Sequence, residues 1–382
     1  MKDPARYSKL ICEDCGYVSP ELSSSDTYPH YIKEEVNRCV RENQSHQSAD
    51  TITFAFMTDI HYALTYNHKI RMKRTINAYK EIAKRAHIDK LVLGGDYTNE
   101  GIKEYKSDCF RELRAEFDGL EYFPINGNHD DGSVWDFSYL QSCNAINHLT
   151  HAEQYKLFYN HLPSLGAEFD KNNHSLYYLY NDEFTKTRYI FLDACDIPYL
   201  HKEDGSLKYK AQWLFTLSQK QYDWLLNTAL KFDEEGWSVI FFTHSTALPS
   251  RKKEELSDIH IRMSIFKELI EAYKLGKPYS ADLDDEELSV KFDVDFSEYT
   301  RADVICTFVG DFHKDRIEID DTGIPYILTA NSVTYFSSSP AAVKRADGDK
   351  TELLFDIATV DKKARTIYIT RVGAGEDRVV KY

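Results

Sequence analysis

The chain has 382 residues and carries 47 Lys and Arg against 62 Asp and Glu, a formal charge of −15. So acidic a balance argues against bulk binding of nucleic acid or another polyanion, and leaves phosphate only a local site whose charge a metal neutralises. The length suits one large α/β domain or two average ones.

The opening residues, MKDPARYSKLICEDCGY, lack the apolar core of a secretory leader, and no run approaches the roughly 18 apolar residues of a membrane span. A cytoplasmic protein with no membrane partner is therefore expected. Seven cysteines (12, 15, 39, 109, 143, 195 and 306) suit reduced thiols better than a disulfide framework. Cys12-x-x-Cys15, with Cys39, could begin a zinc site, but no second CxxC or HxxxH follows, and plain thiols are the expectation.

Residues 1–49 read as an N-terminal helical extension in which HYIKEEVNRCVRENQ forms a helix. The main domain is expected over 50–382. From Thr51 short apolar runs alternate with helical patterns, the signature of a sheet flanked by helices. TITFAFM (51–57) reads as a buried strand. Residues 69–87 read as a helix with Ile76, Tyr79, Ile82, Ala83 and Ala86 inward, and KLVLGG (90–95) as a strand. A helix near 101–117, the strand LEYFPIN, a helix-rich stretch at 134–162 and the strands SLYYLYN and TRYIFLDA follow. An amphipathic helix (217–232) leads into the strand WSVIFFTH. An insertion at about 246–300 carries a helix capped by Ser257, with Gly276 and Pro278 as stop signals, and then the acidic ADLDDEE; it reads as a solvated connector rather than a lid. Three more strands are expected between about 324 and 372.

Five apolar runs end in residues that bind metals or move protons. TITFAFM leads to Thr58-Asp59-Ile60-His61, KLVLGG to Asp96, and YFPI to Asn126-Gly127-Asn128-His129-Asp130. SVIFFT leads to His244, and DVICTFVG to Asp311-Phe312-His313. In α/β sheets functional groups gather beyond the carboxyl ends of strands, so five such endings can converge in one cleft. Two divalent ions about 3.5–4 Å apart need a short bridging anion, a role that suits Asp96. Histidine and asparagine add neutral donors, so the ions stay strong Lewis acids and a water between them ionises near neutral pH.

In this order, DxH, GD, GNHD, H and GxxH, the motifs resemble the calcineurin-like metallophosphoesterase superfamily over roughly residues 51–335. The resemblance implies a four-layer α/β/β/α sandwich of two mixed β-sheets with two metal ions at one edge. By motif, Asp59, His61, the bridging Asp96 and His313 would hold one ion; Asp96, Asn128, His244 and Asp311 the other. His129 would serve the leaving oxygen, with Asp130 as its orienting partner. Purple acid phosphatases carry a tyrosine three residues after the bridging aspartate; Asn99 stands there and Tyr97 is displaced by two, which places the chain outside that branch. LSQKQYDWL resembles a helix of the branch that holds cyclic-nucleotide and glycerophosphodiester phosphodiesterases.

Tyr62, Asn99, Ser245 and Asn331 would lie beside the site and could contact a small phosphorylated substrate. The ten other histidines, His148, His151, His161 and His174 among them, read as surface residues. The expected activity is hydrolysis of a phosphodiester or phosphomonoester by a metal-bridging hydroxide. The alternative is a non-catalytic scaffold of the same fold, which would have no use for His129. No G-x-S-x-G elbow or P-loop supports other hydrolytic chemistry. One departure is specific: the superfamily's last loop is G-H-x-H, and Val309-Gly310-Asp311-Phe312-His313 puts aspartate where the second ion's histidine belongs. Direct ligation by Asp311 is the expectation, with ligation through a water or a weak or empty second site as the alternatives; its ionised carboxylate lowers the charge of the metal pair and favours Mn or Fe over Zn at that position.

Overall fold

The computed structural model describes residues 27–88, 90–99, 101–133, 148–170, 175–251, 256–335 and 343–382. Cys12, Cys15, Cys143 and His174, with residues 134–147 of the helix-rich stretch, lie outside the described residues.

Two mixed sheets face each other. In the first, β1 (Thr51–Met57), β2 (Lys90–Leu93) and β3 (Glu121–Pro124) run parallel, and β13 (Leu354–Asp361), β14 (Thr366–Gly373) and β15 (Arg378–Lys381) extend the other side of β1 as an antiparallel meander. In the second, β6 (Thr187–Phe191), β7 (Ser238–Thr243), β10 (Asp303–Val309) and β12 (Pro325–Leu328) run parallel. Antiparallel β5 (Tyr178–Asp182) and β4 (Glu168–Phe169) flank one side, and β11 (Arg316–Ile319) the other. The parallel strands are buried on both faces, which is why they read as continuous apolar runs.

Alternation along the strands sorts side chains between layers. On β7 the ring of Phe242 turns inward to Phe54 of β1 at 5.5 Å, while neighbouring Phe241 turns outward to Phe266 of α6 (Met263–Leu275) at 5.6 Å. The inner layer is aromatic: Phe54 and Phe56 of β1 meet Phe242 and Phe308, and Phe123 of β3 stacks on Phe191 at 5.6 Å. Outside the first sheet lie α1 (His30–His46), α2 (Tyr66–Ala86) and α3 (Lys103–Glu116); Tyr79 of α2 meets Phe355 of β13, and Val36 and Cys39 of α1 join the same core. Outside the second lie α6 and α5 (Gln219–Trp224), which continues as a π-helical turn to Ala229. The four layers expected from the resemblance are present.

The insertion departs from the expected connector. It folds as α6 followed by a hairpin of β8 (Pro278–Leu283) and β9 (Val290–Asp295), where VKFDVD alternates apolar and charged residues as a half-exposed strand does. Ser257 does not cap the helix, because α6 begins later, after Arg262; the Ser257 hydroxyl instead meets His260 Nδ1 at 2.9 Å. The short edge strands β11 and β15 were not expected either, since four residues carry little periodicity. Among the described residues Cys39, Cys109, Cys195 and Cys306 are free and buried, and no helix is long and apolar enough to cross a membrane.

The ring of Phe242 contacts Phe54, Phe56, Tyr189, Phe191 and Phe308. Phe242→Ala should therefore cost about 3–5 kcal/mol of unfolding free energy, read from urea denaturation, because the cavity opens between two stiff sheets. A loss under about 1 kcal/mol would mean that the layer can collapse.

Candidate metal centre

The site lies where the carboxyl ends of parallel strands from both sheets meet. Loops after β1, β2 and β3 come from one side and loops after β7 and β10 from the other. The β1 and β2 loops pair through their backbones: Asp59 N–H donates to Gly95 O at 3.0 Å, His61 to Asp96 O at 2.8 Å and Tyr62 to Tyr97 O at 2.8 Å. Gly127 and Gly310 allow close approach. A Cβ at Gly127 would stand 2.1 Å from the Asp96 nitrogen, and one at Gly310 would stand 2.3 Å from Thr58 Oγ1.

Five site residues hold left-handed backbone conformations: Asp59 (φ 51), His61 (φ 44), Asp96 (φ 53), Asp311 (φ 62) and His313 (φ 50). Each costs about 1 kcal/mol or more, and such strain survives where surrounding structure over-determines it. It turns consecutive side chains of each loop toward one point.

The donor atoms converge. Asp59, His61, Asp96 and His313 each offer an atom within 4.8 Å of the others, whereas His244 and Asp311 fall in no such group among the described residues. His61 Nε2 lies 3.0 Å from His313 Nε2 and 3.5 Å from Asp96 Oδ2, and His313 Nε2 lies 3.1 Å from Asp59 Oδ1. On the other side of Asp96, His244 Nε2 lies 3.3 Å from Oδ2 and 3.0 Å from Asn128 Oδ1. His244 Nδ1 is fixed by Gly94 O at 2.7 Å, the anchoring that aims a ligand imidazole. Asp96 thus faces both groups.

Asn128 tests whether a cation fits. Its Oδ1 faces only acceptors, the Asp96 carboxylate and His244 Nε2; turned over, the amide would donate to both. A cation among these atoms satisfies the oxygen as it stands. The donor set, carboxylates with imidazoles and one amide, suits Mn, Fe or Zn.

Burial and neighbouring charge pull the groups of the site in different directions. Burial works against ionising Asp96, yet His244, His129 and His61 hold it well below the usual carboxylate range. Burial brings His61 down to about 4, which keeps its nitrogen unprotonated and available as a donor. Burial also opposes charge on His244, but Asp96 raises it well above the ordinary value. Asp311 is held below its ordinary value despite burial by His260, His244 and Ser245.

His129 sits at the rim, half-buried; its backbone N–H donates to Asp96 Oδ1 at 2.9 Å and its Nε2 lies 4.0 Å from Asp96 Oδ2. Asp130 does something other than orient it. Its Oδ2 accepts from the amides of Asp96 (3.0 Å) and Gly127 (2.9 Å), and its Oδ1 from those of Tyr97 (2.8 Å) and Thr98 (3.2 Å). Burial and the Asp96 charge push Asp130 up to about 7, but four amide donors leave no acceptor for a proton, and the loops fit the ionised form. Asp130 is a positioning residue that welds the β2 and β3 loops.

Of the expected substrate contacts, Tyr62 and Asn331 are engaged elsewhere. Tyr62 is buried, with its hydroxyl donating to Glu112 at 2.7 Å on α3. Asn331 is buried and its amide donates to Thr334 O within its own turn. Asn99, half-buried, receives Lys106 Nζ on its carbonyl at 2.6 Å. Ser245 donates to Asp311 Oδ2 at 2.7 Å.

Three features escaped the sequence reading. Lys106 is wholly buried and also donates to His129 O (2.6 Å) and Thr98 Oγ1 (3.1 Å), which ties α3 to both loops; a lone lysine in an amphipathic helix gives no warning of this. In the LSQKQYDWL segment, Ser218 caps α5, and Gln221 accepts from Asp193 N–H (3.0 Å) and donates to Asp193 O (2.9 Å) and Asp196 (3.1 Å), a clasp on the loop after β6. Nor are all the remaining histidines on the surface: His68 and His148 are buried, and His260 approaches Asp311.

The sequence profile of the calcineurin-like phosphoesterases matches residues 52–315. The chain belongs to that family, and so to the metal-dependent phosphoesterases. By structure it resembles a dimetal phosphatase from Danio rerio, with TM-score 0.54 and 14% identity over 87% of this chain and 99% of that one. A sulfate thiohydrolase from Thermus thermophilus aligns with TM-score 0.36 and 9% identity over 86% of this chain and 56% of that one. Comparison with curated proteins finds no sequence match.

Asp130→Asn puts an amide NH2 where two backbone N–H groups point. It should lower unfolding free energy by on the order of 3 kcal/mol and weaken Mn²⁺ binding, measured by urea denaturation and metal titration. Unchanged values in both would remove Asp130 from its positioning role.

Proposed function

We propose that the protein hydrolyses a small phosphodiester or phosphomonoester at a two-metal centre built on Asp96. The observation that carries this reading is the position of Asp96 Oδ2, 3.5 Å from His61 Nε2 on one side and 3.3 Å from His244 Nε2 on the other. Asp59, His61 and His313 would complete one position, and Asn128, His244 and Asp311 the other. Divalent ions held there supply Lewis acidity toward a phosphoryl oxygen and toward water.

The chain's own groups do the remaining work. His129 lies beside Asp96 at the open rim, where its ring can give a proton to the departing oxygen. Asp130 and Lys106 hold the backbone on which His129 stands. The acidic surface disfavours a nucleic-acid substrate, and free, buried thiols support a reducing, cytoplasmic setting. The resemblance of LSQKQYDWL to the diesterase branch is what keeps a diester among the substrates; Gln221 there is a clasp, not a substrate contact. The scaffold alternative loses ground to the position of His129, whose ring lies 4.9 Å from that of His61 and 4.0 Å from Asp96 Oδ2, within the donor cluster.

The test is hydrolysis of bis(p-nitrophenyl) phosphate and p-nitrophenyl phosphate with Mn²⁺ across several pH values. Activity should vanish with a chelator and return with Mn²⁺. His129→Ala should lower kcat by about 10²–10⁴ while metal content stays unchanged. Metal-loaded protein that cleaves neither ester would favour the scaffold.

A further inference from the structure

The loop after β10 offers a carboxylate, Asp311, where its second ligand is expected, and the structure brings an imidazole to that carboxylate from the insertion. His260 lies in the turns before α6, and its Nε2 faces Asp311 Oδ2 at 3.3 Å. The ring is held on several sides. Its Nδ1 meets Ser257 Oγ at 2.9 Å, its face stacks on Phe312 at 5.6 Å, and Phe215 lies against it at 5.2 Å. Phe215 in turn approaches His244 at 6.3 Å, so His260 stands on the His244 side of the centre.

His260 is wired like His244. In both, Nδ1 is anchored by an oxygen, Gly94 O or Ser257 Oγ, and Nε2 faces a carboxylate oxygen at 3.3 Å. That spacing is long for a charged N–H···O bond, about 2.7–2.9 Å. It is the separation of two neighbouring ligands on one ion, about 3.0–3.4 Å when each lies about 2.1 Å from the metal. The Ser257 hydroxyl can accept from Nδ1–H or donate to a bare Nδ1, so it permits the tautomer that turns the Nε2 lone pair toward Asp311 and a cation. Ser245, next to His244, holds Asp311 Oδ2 from the other side at 2.7 Å.

We propose that His260 is a nitrogen ligand of the second metal ion, supplied by the insertion, and that His260 and Asp311 together complete the position formed by Asp96, Asn128 and His244. This rests on the two-metal reading above. It makes the insertion part of the centre, and it makes metal choice at this position a joint property: the Asp311 oxygen draws Mn or Fe, and the His260 nitrogen keeps Zn acceptable.

The experiment is metal binding. Purified full-length protein, stripped and reloaded with Mn²⁺ or Zn²⁺, is assayed by elemental analysis and calorimetric titration, with circular dichroism to confirm folding. Wild type should hold two equivalents. His260→Ala should keep one tight equivalent and bind the second at least about 10-fold more weakly, as should Asp311→Ala. Asp311→His combined with His260→Ala should recover the second equivalent with a shift toward Zn²⁺. Two tight equivalents in folded His260→Ala, with unchanged affinity, would overturn the assignment while leaving the two-metal reading intact. A wild type that holds one equivalent or none would overturn the two-metal reading itself. His260→Gln separates ligation from mere support: a side chain that only steadies Asp311 is replaced by the glutamine amide, whereas loss of the second equivalent in this variant too supports direct nitrogen ligation.

Discussion

Like charge buried in one place is the constraint to which the strand ends answer. Asp59, Asp96 and Asp311 come from three loops and two sheets, and the Asp311 amide reaches the Asp59 carboxylate at 3.1 Å. Carboxylates removed from water need compensation by cations, imidazoles or amide donors. Imidazoles face Asp59, Asp96 and Asp311, while Asp130, one step back, is met by four amides of the loops it joins. Divalent ions held there would complete that compensation, and metal removal should therefore cost more than activity. It should loosen the loops, since the facing imidazoles offset only part of the repulsion among their carboxylates.

The sheets act as a rigid mount for this charge. A single aromatic layer, with Phe242 at its middle, sets the distance between them and so the distance between the Asp59–His61 loop and the His244 and Asp311 loops. The loops then lock one another by backbone pairing, by the Asp130 weld and by Lys106 reaching in from α3. Left-handed residues persist because these locks leave the chain no relaxed alternative. The insertion is attached to the same frame: Phe266 of α6 packs on the outer face of β7, the strand that ends at His244.

Much of this was legible in the linear chain, and the reasons are local. Parallel strands buried on both faces must be continuous apolar runs, so TITFAFM and SVIFFT announced themselves. Candidate ligands that follow a strand directly keep a fixed offset from it, so Asp59, Asp96, Asn128, His244 and His313 could be chosen by position. Asp130 was found but given the wrong work, because an aspartate beside a histidine looks the same in sequence whether it meets the ring or four backbone amides. Tyr62 and Asn331 were misjudged for a related reason: adjacency to a motif says nothing of which way a side chain turns.

The sequence by itself determined the class of chemistry, since strand ends and residue types depend only on neighbours in the chain. Tertiary structure alone decided which histidine answers Asp311. His260 lies 51 positions away, in a segment that read as a connector, and no local pattern distinguishes it from a surface imidazole. Its position follows from how α6 packs on the second sheet, a long-range contact whose outcome depends on the shapes of both surfaces rather than on any periodicity within either.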